Sequence, residues 1–418
     1  MKKRVTLVNG TRLVYETIGR AKSFSIGVWI NAGSTYENSD NSGISHFVEH
    51  LMFKGTKSQS AMQLRKMLED VGGYISASTS REWMWIEAYC LDKHYDRALY
   101  AISDMIENSL FEEREINLER MVILDEIKLY SDASGGQIHD RLTDFIWQDN
   151  ALGKSPLGTV KTVNNFSRND LLSFYGNLFS PETITISAAG NIPETFISDI
   201  EKYFNFPKKK SALTANINGE HQAGIKLCEK DLELVHFCVG AKSFPANDKY
   251  LYALDVLNTM LGGSTSSRLF YEIREKRGMA YSIYSYNTYF KNTGLFSVYA
   301  GVKKNNVVPC LKVILKEFAN FRKGGFTESE LSQAKEQLKG KYTLSLESPY
   351  YRMIMLAYYE RYCNTLFNLK NFLAAIDSVM KEDIINVSEK IFQNDNLTFV
   401  SAGPFADNKS IEKLFCKQ

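Results

Sequence analysis

The chain has 418 residues, 44% of them hydrophobic, and a net charge of +2. That balance excludes a strongly basic nucleic-acid footprint and attraction to an anionic membrane surface. The length exceeds what a single core sustains and implies two domains of about 200 residues each.

The start, Met1-Lys2-Lys3-Arg4, is basic, but Asn9-Gly10-Thr11-Arg12 interrupts any apolar h-region. No secretory signal is expected, and a cytoplasmic location is. Val5 to Glu16 predicts two short strands about a type I′ Asn9-Gly10 turn. Phe24, Ile26, Val28 and Ile30 alternate as a strand. No apolar run approaches the roughly 20 residues that span a bilayer.

The next segment, His46-Phe47-Val48-Glu49-His50, carries chemistry. On a helix His46 and His50 lie four residues apart on one face, near enough for both imidazoles to reach one ion. Glu49 borders that face and can hold a metal-bound water. A helix can carry such residues as decoration, but Ile44, Phe47, Val48, Leu51, Met52 and Phe53 make this one apolar nearly all round. Ionisable groups are seldom buried unless they are paired or bind a metal. A catalytic zinc takes three protein ligands and keeps a fourth position for water, so one further ligand is expected.

Trp83 to Leu91 predicts a further strand, and Glu113 to Tyr130 has a strong helical period. Glu119 and Glu126 lie seven residues apart on one stripe of that helix, which makes them the candidates for third ligand and supporting partner. Phe206 to Gly219 is polar and basic, a linker between structured segments. In the second half, Arg274 and Tyr281 flank Lys276-Arg277-Gly278, the pattern of a helix C-terminus. Leu295 to Val302 reads as another strand. Cys90, Cys228, Cys238, Cys310, Cys363 and Cys416 are dispersed, forming neither a zinc cluster nor a disulfide framework, which fits a reducing compartment.

The chain also repeats itself. Asp170, Phe179 and Gly190 recur as Asp383, Phe392 and Gly403 at a constant offset of 213, and Phe111, Glu113 and Glu115 recur as Phe326, Glu328 and Glu330 at 215. Two copies of one domain follow, spanning 1–206 and 221–418 with 207–220 between them. Lys341 then stands opposite Glu126, and Leu254 and Asn258 opposite the two histidines, so the second copy lacks the metal set. The expected class is α+β, each domain a largely antiparallel sheet covered by helices.

The chain resembles the pitrilysin-type (M16) zinc metallopeptidases, especially their processing-peptidase branch, whose signature is the inverzincin H-x-x-E-H. The resemblance covers nearly the whole chain. It implies that His46, His50 and Glu126 bind one zinc ion per chain; Glu126 lies 76 residues past His50, at the family's spacing. Glu49 is then the general base, and Glu119 supports the site. Ser76-Ala77-Ser78 resembles the edge strand on which substrate pairs, although the family usually has Asn where Ser76 stands. Arg274 and Tyr281 match residues that act on the substrate, and Leu152 to Thr159 matches a structural loop. Phe53 matches a position beside the cleaved bond, and is equally a core residue. Asp132 and Asp140 are available for an arginine near the cut, a presequence-like preference.

The resemblance further implies that the domains face each other as a clamshell around a chamber, bringing Arg274 and Tyr281 towards the zinc. The implied function is zinc-dependent endopeptidase cleavage of unfolded or extended peptides, by a monomer, a homodimer or a heterodimer with a related subunit. The alternative is a non-catalytic or heterodimer-dependent subunit of the same fold, acting as a peptide-binding scaffold.

Overall fold

The computed structural model describes residues 1–132, 137–148, 150–206, 213–215 and 221–415. Most of the expected linker 207–220, Gly135-Gly136, Cys416 and the side chain of Asp132 lie outside the described residues. In chain order the first half runs β1 (Lys2–Thr6), β2 (Arg12–Thr17), β3 (Ser23–Ile30), α1 (Ile44–Met52), α2 (Ala61–Glu69), β4 (Tyr74–Thr79), β5 (Met84–Leu91), α3 (Tyr95–Asn108) and α4 (Glu113–Asp132). It continues with α5 (Gln137–Ile146), α6 (Val160–Asn165), α7 (Arg168–Leu178), β6 (Ile184–Gly190) and α8 (Phe196–Tyr203). The second half runs β7 (Gly224–Glu229), β8 (Val235–Ser243), α9 (Leu251–Leu261), β9 (Ala280–Tyr289), β10 (Gly294–Val302), α10 (Val307–Arg322) and α11 (Glu328–Ser345). It ends with α12 (Pro349–Tyr358), α13 (Leu369–Asp377), α14 (Lys381–Ile391), β11 (Leu397–Gly403) and α15 (Asn408–Phe415).

The strands form two sheets, ordered β1-β2-β6-β3-β5-β4 and β7-β11-β8-β10-β9. One pair in each sheet is parallel, β2 with β6 and β7 with β11, and the remaining pairs are antiparallel. The chain is therefore α+β with largely antiparallel sheets. Leaving out β1, strand order is the same in both, as a duplication demands. The recurrent residues have matching structural jobs. Asp170 accepts the Ser167 N–H at 2.9 Å to cap α7, and Asp383 accepts the Met380 N–H at 2.8 Å to cap α14. Phe179 and Phe392 are both buried.

The β1–β2 hairpin forms as expected, but its turn is not type I′. That turn needs positive φ at both central residues, and Asn9 is not among the positive-φ residues, while Gly10 has φ 98°. Instead the Gly10 N–H donates to the Leu7 carbonyl at 2.8 Å and the Leu7 N–H to the Thr11 carbonyl at 2.9 Å. This is the longer turn with glycine in the left-handed position of a bulge.

Strand β3 separates two apolar layers in the first sheet. Phe24, Ile26, Val28 and Ile30 face the main core, shared with Phe47, Val48, Leu51 and Met52 of α1, Leu99, Ile102 and Met105 of α3, and Ile116 and Ile123 of α4. Its alternate residue Trp29 packs instead with Ala189, Met353 and Ala357, under α12. The chain divides into two compact units that do not follow its midpoint. The first comprises Met1–Leu129, Lys154–Ile217 and Ser345–Phe367; the second comprises Tyr130–Gly153, Asn218–Leu344 and Asn368–Gln418. Each unit thus includes the helix that follows the long helix of the opposite half: α12 lies on β6, β3 and β2, and α5 on β11 and β8.

Candidate metal centre

Helix α1 starts at Gly43 (φ 90°) and buries Ile44, Phe47, Val48, Leu51 and Met52, which fixes its rotation about its axis. Its N-terminus is held by Glu37, a buried carboxylate that accepts the Gly43 N–H at 2.7 Å and the Ser45 N–H at 3.0 Å. Leu157 and Gly158 come close to the same end. Gly158 (φ 74°) comes so close that a Cβ there would sit 2.4 Å from the Ser42 carbonyl oxygen. Thr162, just beyond, donates to that carbonyl at 2.6 Å.

Helix α4 is anchored beside α1 by Arg120. Its guanidinium lies 5.5 Å from the Phe47 ring centroid and donates to the carbonyls of Val163 and, at 2.8 Å, Phe166. The apolar period of α4 then turns Glu119 and Glu126 towards the histidines, one turn-pair apart along the stripe.

His46 Nε2 and His50 Nε2 face each other at 3.2 Å, and Glu126 Oε2 lies 3.6 Å from the first and 3.8 Å from the second. A tetrahedral zinc with ligands at about 2.0–2.2 Å places neighbouring donor atoms roughly 3.3–3.6 Å apart. The three atoms therefore fit one ion, and they are the one such group among the described residues. Burial, then the neighbouring His50, pushes the His46 pKa down to about 3, which keeps that imidazole neutral. Neutral imidazole is the form that binds metal.

Glu119 occupies a different position. Its Oε2 is 2.9 Å from His50 Nδ1, on the far side of the ring from the facing Nε2 atoms, and its other oxygen pairs with Lys54. Burial alone would raise its pKa, but the bonds from His50 and Lys54 hold it below the usual carboxylate range. As an ionised acceptor it places the proton of His50 on Nδ1 and aims the Nε2 lone pair at the cluster. The two glutamates left interchangeable by their spacing are separated here by geometry.

Glu49 points from α1 to β4, where its Oε2 accepts the Thr79 hydroxyl at 2.5 Å. Burial raises its pKa, and the charge of Glu126 adds to this, against the Thr79 bond and His50. A carboxyl raised in this way is better matched to taking and returning a proton near neutrality. Strand β4 is the edge of its sheet, paired with β5 alone among the described residues. Ile75 and Ala77 pack on the core and Thr79 meets Glu49, so Ser76 and Ser78 point to the opposite face. Phe53 packs against the core while remaining half-buried.

In the second unit Arg274 lies in a π-helical turn, Phe270–Glu275, closed by Gly278 (φ 58°), whose N–H donates to the Arg274 carbonyl. The Arg274 guanidinium is 5.8 Å from the centroid of the Tyr281 ring, which is 79% exposed. Asp140 lies on α5, in the same unit. The partners Thr79, Lys54 and Glu37 carry no sequence signal of their own. Thr79 follows Ser76-Ala77-Ser78, the stretch that the resemblance singles out.

Among the described residues no helix is long and apolar enough to cross a membrane, and the five described cysteines are free. Residues 12–160 match the model of the insulinase family (peptidase family M16), and residues 165–338 the model of the peptidase M16 inactive domain. The chain is 35% identical over 395 residues, 94% of its length and 97% of the relative's, to a Bacillus subtilis (strain 168) protein named an uncharacterized zinc protease. A Streptomyces coelicolor relative of the same description is 34% identical, covering 98% of this chain and 91% of the other. A crystal structure of a protease from Helicobacter pylori superposes with a TM-score of 0.90 at 24% identity, covering 97% of this chain and 99% of that one. A Pseudomonas fluorescens structure described as a peptidase M16 inactive domain reaches 0.89 at 19%, covering 97% and 98%. These two likenesses concern the fold.

Proposed function

The chain belongs to peptidase family M16, and from that premise we propose that it is a zinc-dependent endopeptidase acting on unfolded or extended peptides. The observation that carries this reading is the convergence of His46, His50 and Glu126 within 4.8 Å of one another, with Glu49 reaching from the same helix to an open sheet edge. His46, His50 and Glu126 would hold the ion. Zinc bound there supplies a charge that polarises a peptide carbonyl and lowers the pKa of a bound water towards about 7.

The chain's own residues do the rest. Glu49 takes the proton from the attacking water and passes it to the leaving amine, with Thr79 fixing the orientation of its carboxylate. Glu119 keeps His50 in the metal-binding tautomer. Substrate backbone adds as a strand along β4, over Ser76, Ala77 and Ser78, so affinity comes from main-chain hydrogen bonds and favours extended chains. Phe53 borders the cleaved bond in this reading. Arg274 and Tyr281 supply donors for substrate carbonyls and for the charge that develops on the scissile oxygen.

The test is cleavage of a quenched peptide library by the purified protein, with and without chelator, beside Glu49→Gln. Activity that chelator abolishes, and that Glu49→Gln loses while keeping its zinc, is expected. Unchanged turnover in Glu49→Gln would sink the general-base assignment. Activity that appears only after a second, related chain is added would favour the scaffold-subunit alternative.

A further inference from the structure

The face of β4 turned away from the metal cluster carries a feature that the proposed chemistry leaves unused. On that face Tyr74, Ser76 and Ser78 stand opposite Tyr89, Glu87 and Trp85 of β5. Glu87 is 9% exposed, and its two oxygens accept from neutral donors, the Trp85 indole N–H at 3.1 Å and the Tyr350 hydroxyl at 2.8 Å. Among the described residues no ammonium or guanidinium pairs with it. A buried carboxylate normally has a cationic partner, because dispersed neutral donors do not cancel its charge.

The surroundings suit a cation arriving from the sheet edge. Tyr74 and Tyr89 form a ring pair with centroids 5.5 Å apart, and Tyr350 closes the other side of Tyr89 at 6.0 Å. Tyr74 and Tyr89 remain 46% and 43% exposed, so this aromatic wall is open rather than covered. Aromatic faces of this kind attract ammonium and guanidinium groups. Between the open edge and Glu87 stands only Ser76, whose small side chain leaves a lane across β4. From a strand added to that edge, Glu87 is two strand spacings away, about 10 Å. A lysine or arginine directed over Ser76 meets the glutamate side chain partway, whereas a short side chain does not reach it.

We propose that Glu87, with Tyr74 and Tyr89 as walls and Ser76 as the gap, forms a subsite for a basic side chain of the extended peptide that pairs with β4. The proposal rests on the reading of β4 as the substrate strand. Side chains of an added strand alternate between the two faces, so the requirement falls on the one residue that crosses Ser76, in the alternation out of step with the residues that face the metal. Glu87 is thus a specificity residue rather than a catalytic one. It also gives Ser76 a purpose, since a bulkier residue there would close the lane.

The test uses the intact protein with zinc and two peptides differing at one position, arginine in one and citrulline in the other, the position being scanned along the sequence. Wild type should prefer arginine in kcat/KM at one position relative to the cleaved bond, in the alternation that faces away from the metal. In Glu87→Gln, which keeps the side-chain shape, the arginine-to-citrulline ratio should fall about tenfold or more. Ser76→Leu should lower the same ratio by filling the lane beside Glu87, while the Trp85 and Tyr350 donors to that carboxylate stay in place. Cleavage without any arginine preference in wild type, or a preference unchanged in both variants, overturns the subsite and leaves the peptidase reading intact. Peptide binding followed by fluorescence anisotropy in Glu49→Gln separates the two. Binding that prefers arginine and depends on Glu87, in a protein whose wild type cleaves nothing, would uphold the subsite and overturn the hydrolase.

Discussion

The two halves of the chain share a sheet order but handle the buried polar groups at corresponding places in opposite ways. In the second half Leu254 and Asn258 stand where the first has His46 and His50, and Lys341 where it has Glu126. The cluster there closes on itself. Asn258 accepts the Ser285 hydroxyl at 2.6 Å, and half-buried Asp255 accepts from Tyr289 at 2.6 Å and Asn287 at 3.0 Å. Burial raises the Asp255 pKa, while those two bonds and the charge of Lys341 oppose the rise. In the first half His46 Nε2, His50 Nε2 and Glu126 Oε2 instead converge on a shared point. One scaffold therefore carries a set of donors and acceptors that satisfy one another and a set that a cation would satisfy.

Four variants break or sharpen that contrast. The largest effect is expected from His50→Ala, which removes one of three ligand atoms: zinc content by mass spectrometry and peptide cleavage should both fall to background. If zinc stays bound at wild-type stoichiometry, the ion is elsewhere. Glu49→Gln comes next, with cleavage reduced about 10²–10⁴-fold at unaltered zinc content, the range of a lost general base. Glu119→Gln keeps all three ligand atoms but weakens the hold on the His50 tautomer. A competition titration with a chelating dye should show metal affinity lowered about 10–100-fold, and no change would reduce Glu119 to a partner of Lys54. The smallest effect on chemistry is expected in the second half. Asp255→Ala removes the acceptor of two hydrogen bonds and should cost about 1–3 kcal/mol of stability in denaturant unfolding. Its zinc content should stay at the wild-type level, and loss of zinc there would erase the contrast between the halves.

The metal helix was legible because i, i+4 spacing is enough to put His46 and His50 on one face, whatever surrounds them. The repeat was legible for a similar reason: Asp170 and Asp383 cap equivalent helices and Phe179 and Phe392 fill equivalent core positions, so the local demands recur with the sequence. The turn of the first hairpin was misjudged, because Asn-Gly supports more than one turn and the lengths of the flanking strands select among them. Thr79 as partner of Glu49 and Glu37 as cap of α1 could not be foreseen. A threonine on a strand and a glutamate in a loop acquire those jobs only through neighbours distant in sequence.

The amino-acid sequence by itself determined the duplication and the elements read from their period, and it pointed to His46, Glu49, His50 and a carboxylate of α4 as the candidate site, since these follow from periodicity and local spacing. The tertiary structure decided which carboxylate does what. Glu119 and Glu126 share a stripe, and periodicity fixes the face of a helix but not its position along a neighbour. Arg120 and the core contacts of Ile116 and Ile123 set that position, putting Glu126 beside the two Nε2 atoms and Glu119 behind His50. The exchange of α5 and α12 between the compact units has the same origin. Periodicity marks each as a helix, and only the packed chain determines which sheet it covers.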